Sequence, residues 1–147
     1  WQSVPDRKGW QLTLVGNGPE KEKLTGYPDV EILDFMDQQE LLEVMENSGA
    51  FILPSVSEPW ALVIHEAVCA GLPVLASDCC GAITSFLREG ENGYLFVPGK
   101  IRSICHSMEK LLIQSEAELL QMGRNSRALG MQITPEKVAG TLLTVLK

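Results

Sequence analysis

Short apolar runs alternate with stretches of helical periodicity through most of this chain, and this alternation constrains its fold more than any other feature. Each run is followed by turn-forming residues such as Gly, Pro, Asn or Asp. The pattern is typical of βα units, in which parallel strands form a sheet and helices cover its faces. We therefore predict parallel strands at residues 11–15, 30–33, 51–53, 74–77 and 94–97.

The segments between these runs carry helix signals. Asp37 and Glu40 stand in capping-box register and predict the start of a helix. Further short helices are predicted at residues 20–25, 60–70 and 83–87. The residues that the helix after Asp37 is expected to turn inward are Leu41, Leu42, Met45 and Ser48.

Beyond residue 99 the pattern is helical only, with predicted helices at 101–112, 116–129 and 135–146. Ser115 and Glu118 form a second capping box. A stripe of apolar residues is expected to pack the last helix against the domain, namely Val138, Leu142 and Val145. No repeat or linker divides the chain. Residues 1–147 are therefore predicted to form one Rossmann-like α/β domain, a parallel sheet flanked by helices with three helices at its C-terminal end.

Composition excludes several classes of protein. The chain has 147 residues, the size of one domain, and its hydrophobic share of 45% is too high for a disordered segment. A net charge of -7 argues against nucleic-acid binding, and no apolar run approaches the roughly 18 residues of a spanning helix. The chain begins with Trp1 and shows no signal-peptide pattern, so we expect it to be a portion of a longer protein.

The cysteines and histidines do not predict a metal site. The four cysteines are irregularly spaced and form neither a disulfide framework nor a set of metal ligands. We interpret them as reduced thiols, which fits a cytoplasmic protein. Neither histidine has a partner that would complete a ligand set, and His65 is expected to have a packing role.

Ligands of open parallel sheets bind in the crevice at the carboxyl ends of the strands. The loops to inspect are therefore 16–19, 34–37, 54–60 and 78–81. The first of them, Gly-Asn-Gly-Pro, would let backbone N–H groups approach a phosphate, but a plain tight turn explains it as simply. It lacks the third glycine of a dinucleotide fingerprint and the lysine of a P-loop.

Two acids converge near the start of one apolar helix. Residues 61–70 are apolar on nearly every side except for Glu66, and Glu58 lies eight positions earlier in the loop that feeds the helix. The helix start offers free N–H groups and a positive dipole end, which suit a phosphate. A ligand with hydroxyls at both ends and phosphates between them would use all three features. The alternative, which spacing leaves open, is that Glu66 bonds a neighbouring loop and Glu58 is solvated.

Several motifs together resemble the donor-binding half of family 4 glycosyltransferases with the GT-B fold. They are the Glu58 and Glu66 pair within residues 54–67, the Ala-Gly-Leu-Pro-Val run at 70–74, Val-Gly-Asn-Gly-Pro at 15–19 and Gly-Glu-Asn-Gly-Tyr-Leu-Phe at 90–96. The resemblance covers nearly the whole chain from Gln11 onward. It implies a retaining transferase that moves a sugar from a UDP or GDP donor to an acceptor hydroxyl, in glycan or glycoconjugate biosynthesis, without a cofactor or metal.

The resemblance also implies a role for individual residues. Glu66 would bind the ribose hydroxyls of the donor, and Glu58, the implied catalytic residue, would bind its hexose hydroxyls. The base would lie against Phe35 and Met36, and Gly16 would allow close approach near the diphosphate. The remaining donor-binding residues, most of them acting on the sugar and distal phosphate through the backbone, would be Ser55, Trp60, Ala61, Leu62 and Val63.

The sequence departs from the family pattern in three places. Ala61 stands where glycine is common, and Cys80 with Gly81 replaces a pair of glycines that an acid usually follows. An Arg and a Lys that neutralise the departing diphosphate belong to a strand and loop upstream of Trp1. We therefore expect residues 1–147 to be a C-terminal donor domain without its first strand and its N-terminal acceptor domain, inactive alone and able to associate with a membrane only through the missing part.

Two other classes of function remain open. A non-catalytic, flavodoxin-like module could carry the two glutamates as structural residues and meet a protein partner through its acidic face. A GT-B epimerase or phosphorylase is the second alternative, although a phosphorylase would need a cofactor lysine and no lysine falls in the four loops.

Overall fold

A computed structural model describes residues 1–145 of the chain. Strands and helices alternate through the first two thirds, and helices alone follow. The strands are β1 (Leu12–Val15), β2 (Val30–Leu33), β3 (Phe51–Leu53), β4 (Val74–Ser77) and β5 (Gly93–Phe96), and a 3-10 turn spans Lys21–Leu24. The helices are α1 (Gln38–Glu46), α2 (Leu62–Cys69), α3 (Ile83–Phe86), α4 (Ile101–Leu112), α5 (Glu116–Gly130) and α6 (Pro135–Val145).

Every strand pairing is parallel, which confirms the predicted α/β fold with helices flanking parallel strands. The strands form two separate hydrogen-bonded sheets, β1-β2 and β3-β4-β5. Leu12 lies opposite Val30 in the first sheet, and Val74 lies between Phe51 and Gly93 in the second. Within residues 1–145, β1 and β3 each keep one edge without a strand partner, and a narrow groove between them is lined by both strands and by Trp1 and Trp10.

The core lies on both faces of the second sheet. All four residues of β4 are buried because helices cover both of its faces. On one face, Ile64, Ala67 and Val68 of α2 are fully buried in a cluster with Val74 and Ala76. On the other face, a second cluster is formed by Leu75, Phe96, Met108, Leu111, Leu112 and Met122.

Local signals placed most helix ends correctly. Both predicted capping boxes are present, at Asp37 with Glu40 and at Ser115 with Glu118. Gly71, with a φ of 83°, adopts the left-handed conformation that ends α2. The start of α2 differs from the prediction by two residues, since it begins at Leu62 rather than at residue 60.

Two expectations about packing are wrong. Leu42 is 46% exposed, whereas its neighbour Met45 is buried as predicted. Helix α6 presents Val138 and Leu142 to solvent, at 48% and 59% exposed. Amphipathic spacing predicts that a helix forms and which of its residues share a face, but not what covers that face. Residue 146 of the predicted helix lies outside the described part of the chain. No helix among the described residues has the length and apolarity to cross a bilayer.

Candidate functional site

The carboxylate of Glu58 is fixed by the backbone that follows it. Its Oε1 atom accepts hydrogen bonds from the N–H of Trp60 at 3.2 Å and of Ala61 at 3.1 Å. The side chain is half-buried and is not simply solvated. Since Oε1 is already used by two donors, Oε2 is the atom best placed to accept a hydrogen bond from a ligand.

Ala61 connects this loop to α2 in a conformation that L-residues rarely adopt. Its φ of 73° and ψ of 74° are left-handed, and the residue is buried, at 6% exposed. The turn at Ala61 explains why α2 begins at Leu62. The N–H groups of Leu62 and Val63 stand in the first helical turn, where the helix itself offers no acceptor. The N–H groups of Leu62 and Val63 are the ones left for a ligand at this helix start, since those of Trp60 and Ala61 donate to Glu58.

The left-handed turn predicts an order of tolerance at position 61. Ala61→Gly should retain the fold, because glycine adopts this conformation freely and loses only a methyl group. Ala61→Val should destabilise the domain by about 2 kcal/mol or more, because a β-branched side chain is strongly disfavoured at positive φ and the site is closely packed. Urea unfolding of the three proteins tests the order. Equal stability of the valine and alanine proteins would contradict the left-handed assignment.

Two neighbouring loops are joined at the carboxyl ends of β3 and β4. Glu58 forms an isolated parallel bridge with Cys80, and the N–H of Ala82 donates to the carbonyl of Trp60 at 2.8 Å. The Cys79 thiol donates to the carbonyl of Ser55 at 3.3 Å. We call residues 54–60 and 78–82, joined in this way, the tied loops. The segment in which the sequence departs from the family pattern thus supports the loop that carries Glu58.

Gly81 is required where the tied loops meet. A Cβ atom on this residue would lie 2.2 Å from the carbonyl oxygen of Pro59, well inside van der Waals contact. Trp60 lies beside the same point and packs edge-to-face on Phe86, with ring centroids 6.4 Å apart. Glycine therefore permits the close backbone approach that holds Glu58 in place.

The thiols in this segment differ in environment. Cys79 is exposed and Cys80 is buried, and neither forms a disulfide. Burial raises the pKa of the Cys80 thiol to about 11, and the nearby charges of Glu58 and Asp78 act in the same direction. Cys80 is consequently protonated at neutral pH and acts as a small packing residue.

Glu66 lies on the second turn of α2 and is half-buried. Its Oε1 atom accepts a hydrogen bond from Nε2 of Gln38 at 3.4 Å. Both side chains line a cavity of 740 Å³ between α1 and α2, whose apolar wall includes Leu41 and Met45. Glu66 therefore faces open volume, with its partner supplied by a different helix.

The loops after β1 and β2 carry the residues expected to meet a base. Phe35 is 79% exposed and Met36 is half-buried. Gly16, with a φ of 136°, faces space in which a Cβ would meet no atom within 4 Å. Phe35 and Gly16 thus leave room for a ligand at this edge of the first sheet.

A lysine lies at the same edge, which the sequence interpretation missed. The Lys21 ammonium group bonds the carboxylate of Asp34 and the side-chain oxygen of Asn17. Lys21 belongs to the 3-10 turn just beyond the first loop. A search for lysines confined to the four loops therefore did not include it. The pairing of β1 with β2 brings the two ends of this contact together, which no local pattern indicates.

His65 has a packing role, as expected. Its ring stacks on Phe86 with centroids 4.4 Å apart, and Nε2 lies 3.0 Å from the carbonyl oxygen of Gly130. Among residues 1–145, no group of three or more His, Cys, Asp or Glu side chains is arranged to hold a metal ion.

Comparison with known proteins gives the class to which this fold and these loops belong. The family described as "Glycosyl transferases group 1" matches residues 1–129. A glycosyltransferase of Haemophilus influenzae, whose function is not characterised, is 30% identical over 146 residues; the match covers 94% of this chain and 40% of that protein. The chain therefore belongs to the group 1 glycosyl transferases.

Solved structures show the same fold at lower sequence identity. Sucrose-phosphate synthase from Thermosynechococcus elongatus superposes with a TM-score of 0.78 at 23% identity, over 92% of this chain and 37% of that chain. Anabaena HepE, solved in complex with UDP-glucose, superposes with a TM-score of 0.72 at 22% identity, over 91% of this chain and 41% of that chain. These likenesses show the α/β fold of GT-B glycosyltransferases. The chain spans well under half the length of each of these proteins.

Proposed function

We propose that this domain binds a UDP or GDP sugar and forms the donor half of a retaining, family 4-type hexosyltransferase. The observation that carries the proposal is the arrangement around α2: the Glu58 carboxylate is held by the backbone just before the helix, and Glu66 lies on the second turn and lines an open cavity. HepE, which has the same fold and was solved with UDP-glucose, supports a nucleotide sugar as the ligand class. The family match supports sugar transfer as the reaction.

The proposed contacts follow the chemistry of each group. Carboxylates accept from hydroxyls, so Glu66 takes the ribose hydroxyls and Oε2 of Glu58 takes a hexose hydroxyl. Phosphate oxygens accept from N–H groups, so the diphosphate lies at the start of α2. We place the base over Phe35 and Met36. The other proposed contacts, with the sugar, the distal phosphate and the diphosphate, involve Gly16, Ser55, Leu62 and Val63. Trp60 and Ala61 belong to the proposed site through other atoms, because their N–H groups already donate to Oε1 of Glu58.

The proposed reaction exchanges one glycosidic bond for another. The bond between the anomeric carbon and the diphosphate breaks, a bond to the acceptor oxygen forms on the same face of the sugar, and the hydroxyl proton passes to the departing diphosphate. Negative charge develops on the diphosphate, where the first turn of α2 presents its positive dipole end. Positioning of the acceptor hydroxyl supplies the other part of the rate enhancement.

We further propose that residues 1–147 are the C-terminal domain and that another part of the polypeptide completes the sheet and binds the acceptor. Two features support this proposal. Among the described residues, the facing edges of β1 and β3 lack strand partners and border a common apolar groove. The matched relative from Haemophilus is also much longer than this chain. An added parallel strand would use backbone groups on both edges.

Titration of the full-length protein with UDP-glucose, UDP-galactose and GDP-mannose tests the proposed function. We expect saturable heat release with at least one of them, and competition by the matching nucleoside diphosphate. Absence of binding to every nucleotide sugar and nucleoside diphosphate tried would overturn the proposal. It would favour the non-catalytic module in which Glu58 and Glu66 are structural.

A further inference from the structure

We propose that Gln38 is a positioning residue, which orients the Glu66 carboxylate for the ribose of a nucleotide ligand. The inference rests on the proposed function, because it assigns a partner to the residue proposed to bind the ribose. Gln38 lies outside the loop segments that the family resemblance singles out. Its contact joins α1 to α2 across 28 positions of sequence.

The start of α1 holds Gln38 in a defined place. Asp37 caps the helix by accepting from the N–H groups of Gln39 and Glu40, each at 2.9 Å. The Glu40 carboxylate in turn accepts from the N–H of Asp37 at 2.9 Å. Gln38 is the first residue of the helix, and the capping box of Asp37 and Glu40 fixes the backbone on either side of it. Buried Met45 anchors the same helix to the core that contains α2.

The hydrogen bond between Gln38 and Glu66 can have only one direction. An ionised carboxylate accepts hydrogen bonds and cannot donate, so the amide must present its NH₂ group to Glu66. This bond engages Oε1, so Oε2 is the oxygen that we assign to the ligand; both residues line the same cavity. A neutral amide restrains the carboxylate without neutralising its charge. Glu66 therefore keeps its strength as an acceptor for a hydroxyl pair.

This role predicts a specific effect on recognition of the sugar of the nucleotide. The full-length protein should bind UDP more tightly than 2′,3′-dideoxy-UDP, because the dideoxy compound lacks the hydroxyls that Glu66 accepts. Gln38→Ala should weaken UDP binding by about threefold to tenfold, the range expected for loss of one hydrogen bond. Its affinity for dideoxy-UDP should not change. If the protein binds guanine instead of uracil, GDP and 2′,3′-dideoxy-GDP replace the two uridine compounds.

Isothermal titration of four proteins tests the inference: wild type, Gln38→Ala, Gln38→Glu and the control Gln39→Ala. Gln39 occupies the same helical turn, and the same substitution there leaves the Glu66 contact intact. Gln38→Glu preserves size but replaces the donor by a second carboxylate, so it should reduce the preference for ribose at least as much as Gln38→Ala. Gln39→Ala should keep the wild-type preference.

The possible outcomes separate this inference from the proposed function. Equal binding of UDP and dideoxy-UDP by the wild type, with GDP and its dideoxy form also equal, would overturn the ribose role of Glu66 and this inference with it. A wild-type preference that Gln38→Ala leaves unchanged would overturn the inference alone. Equal weakening of both compounds by Gln38→Ala would also overturn it, since that result indicates a general structural role.

Discussion

Gly81→Ala is expected to destabilise the domain by about 3 kcal/mol and to displace the loop that carries Glu58. The added Cβ would lie 2.2 Å from the carbonyl oxygen of Pro59, and the contact is backbone, which cannot rotate away as a side-chain end can. Relief requires separation of the tied loops, with loss of the hydrogen bond from Ala82 to Trp60. The cost is that of a severe overpacking substitution. Urea unfolding monitored by tryptophan fluorescence measures it.

Gly18→Ala is the matched control for this prediction. Gly18 also lies in a loop after a strand, but a Cβ there would meet no atom within 4 Å and its φ does not require glycine. The free energy of unfolding of Gly18→Ala should remain within about 0.5 kcal/mol of the wild-type value, as for most surface substitutions. If Gly81→Ala unfolds at the same urea concentration as Gly18→Ala, the close approach of the tied loops is wrong.

Glu66→Ala is expected to weaken binding of a nucleoside diphosphate by about 100-fold or more while leaving the fold intact. Each hydrogen bond to a charged group contributes about 1.5–3 kcal/mol, and a ribose offers two hydroxyls to this carboxylate. Stability should change little, because Glu66 is half-buried and its hydrogen bond to Gln38 lies at an exposed site, where water can replace it. Isothermal titration with UDP and GDP measures the loss.

The control for Glu66→Ala removes the same charge from an exposed position. Glu43 lies on the solvent side of α1, and its substitution by alanine changes the net charge equally. Glu43→Ala should retain wild-type affinity, which would exclude a general effect of charge. Wild-type affinity in Glu66→Ala would remove this residue from the proposed site.

The parts of the fold that the sequence predicts well are those set by local pattern. Parallel pairing followed from the alternation of strands and helices, and both capping boxes followed from residues three positions apart. The choice of Glu58 and Glu66 as site residues came from their place around one apolar helix, and it stays a prediction. Where the structure tests these predictions, the deciding interactions lie within a few residues of each other.

The parts that the sequence predicts poorly depend on distant residues or on rare backbone conformations. The partnership of Gln38 with Glu66 and the ion pair of Lys21 with Asp34 arise only when separate elements meet. The hydrogen bonds from Trp60 and Ala61 to Glu58 form at a turn where Ala61 has a positive φ, and alanine gives no signal for that conformation. The exposure of Val138 and Leu142 on α6 and the division of the strands into two sheets likewise depend on what lies beside an element.

The tied loops have a consequence for how such a domain diversifies. Residues 79, 80 and 82 bond the loop that carries Glu58, through the Cys79 thiol and the backbone of Cys80 and Ala82, so we expect a substitution in either loop to shift the other loop as well. Effects of changes in the two loops are then non-additive, because they act on one mechanical unit. A new sugar preference can arise from a residue that never touches the sugar. Because of this coupling, the effect of transferring one residue from a related protein depends on the residues already present in the other loop.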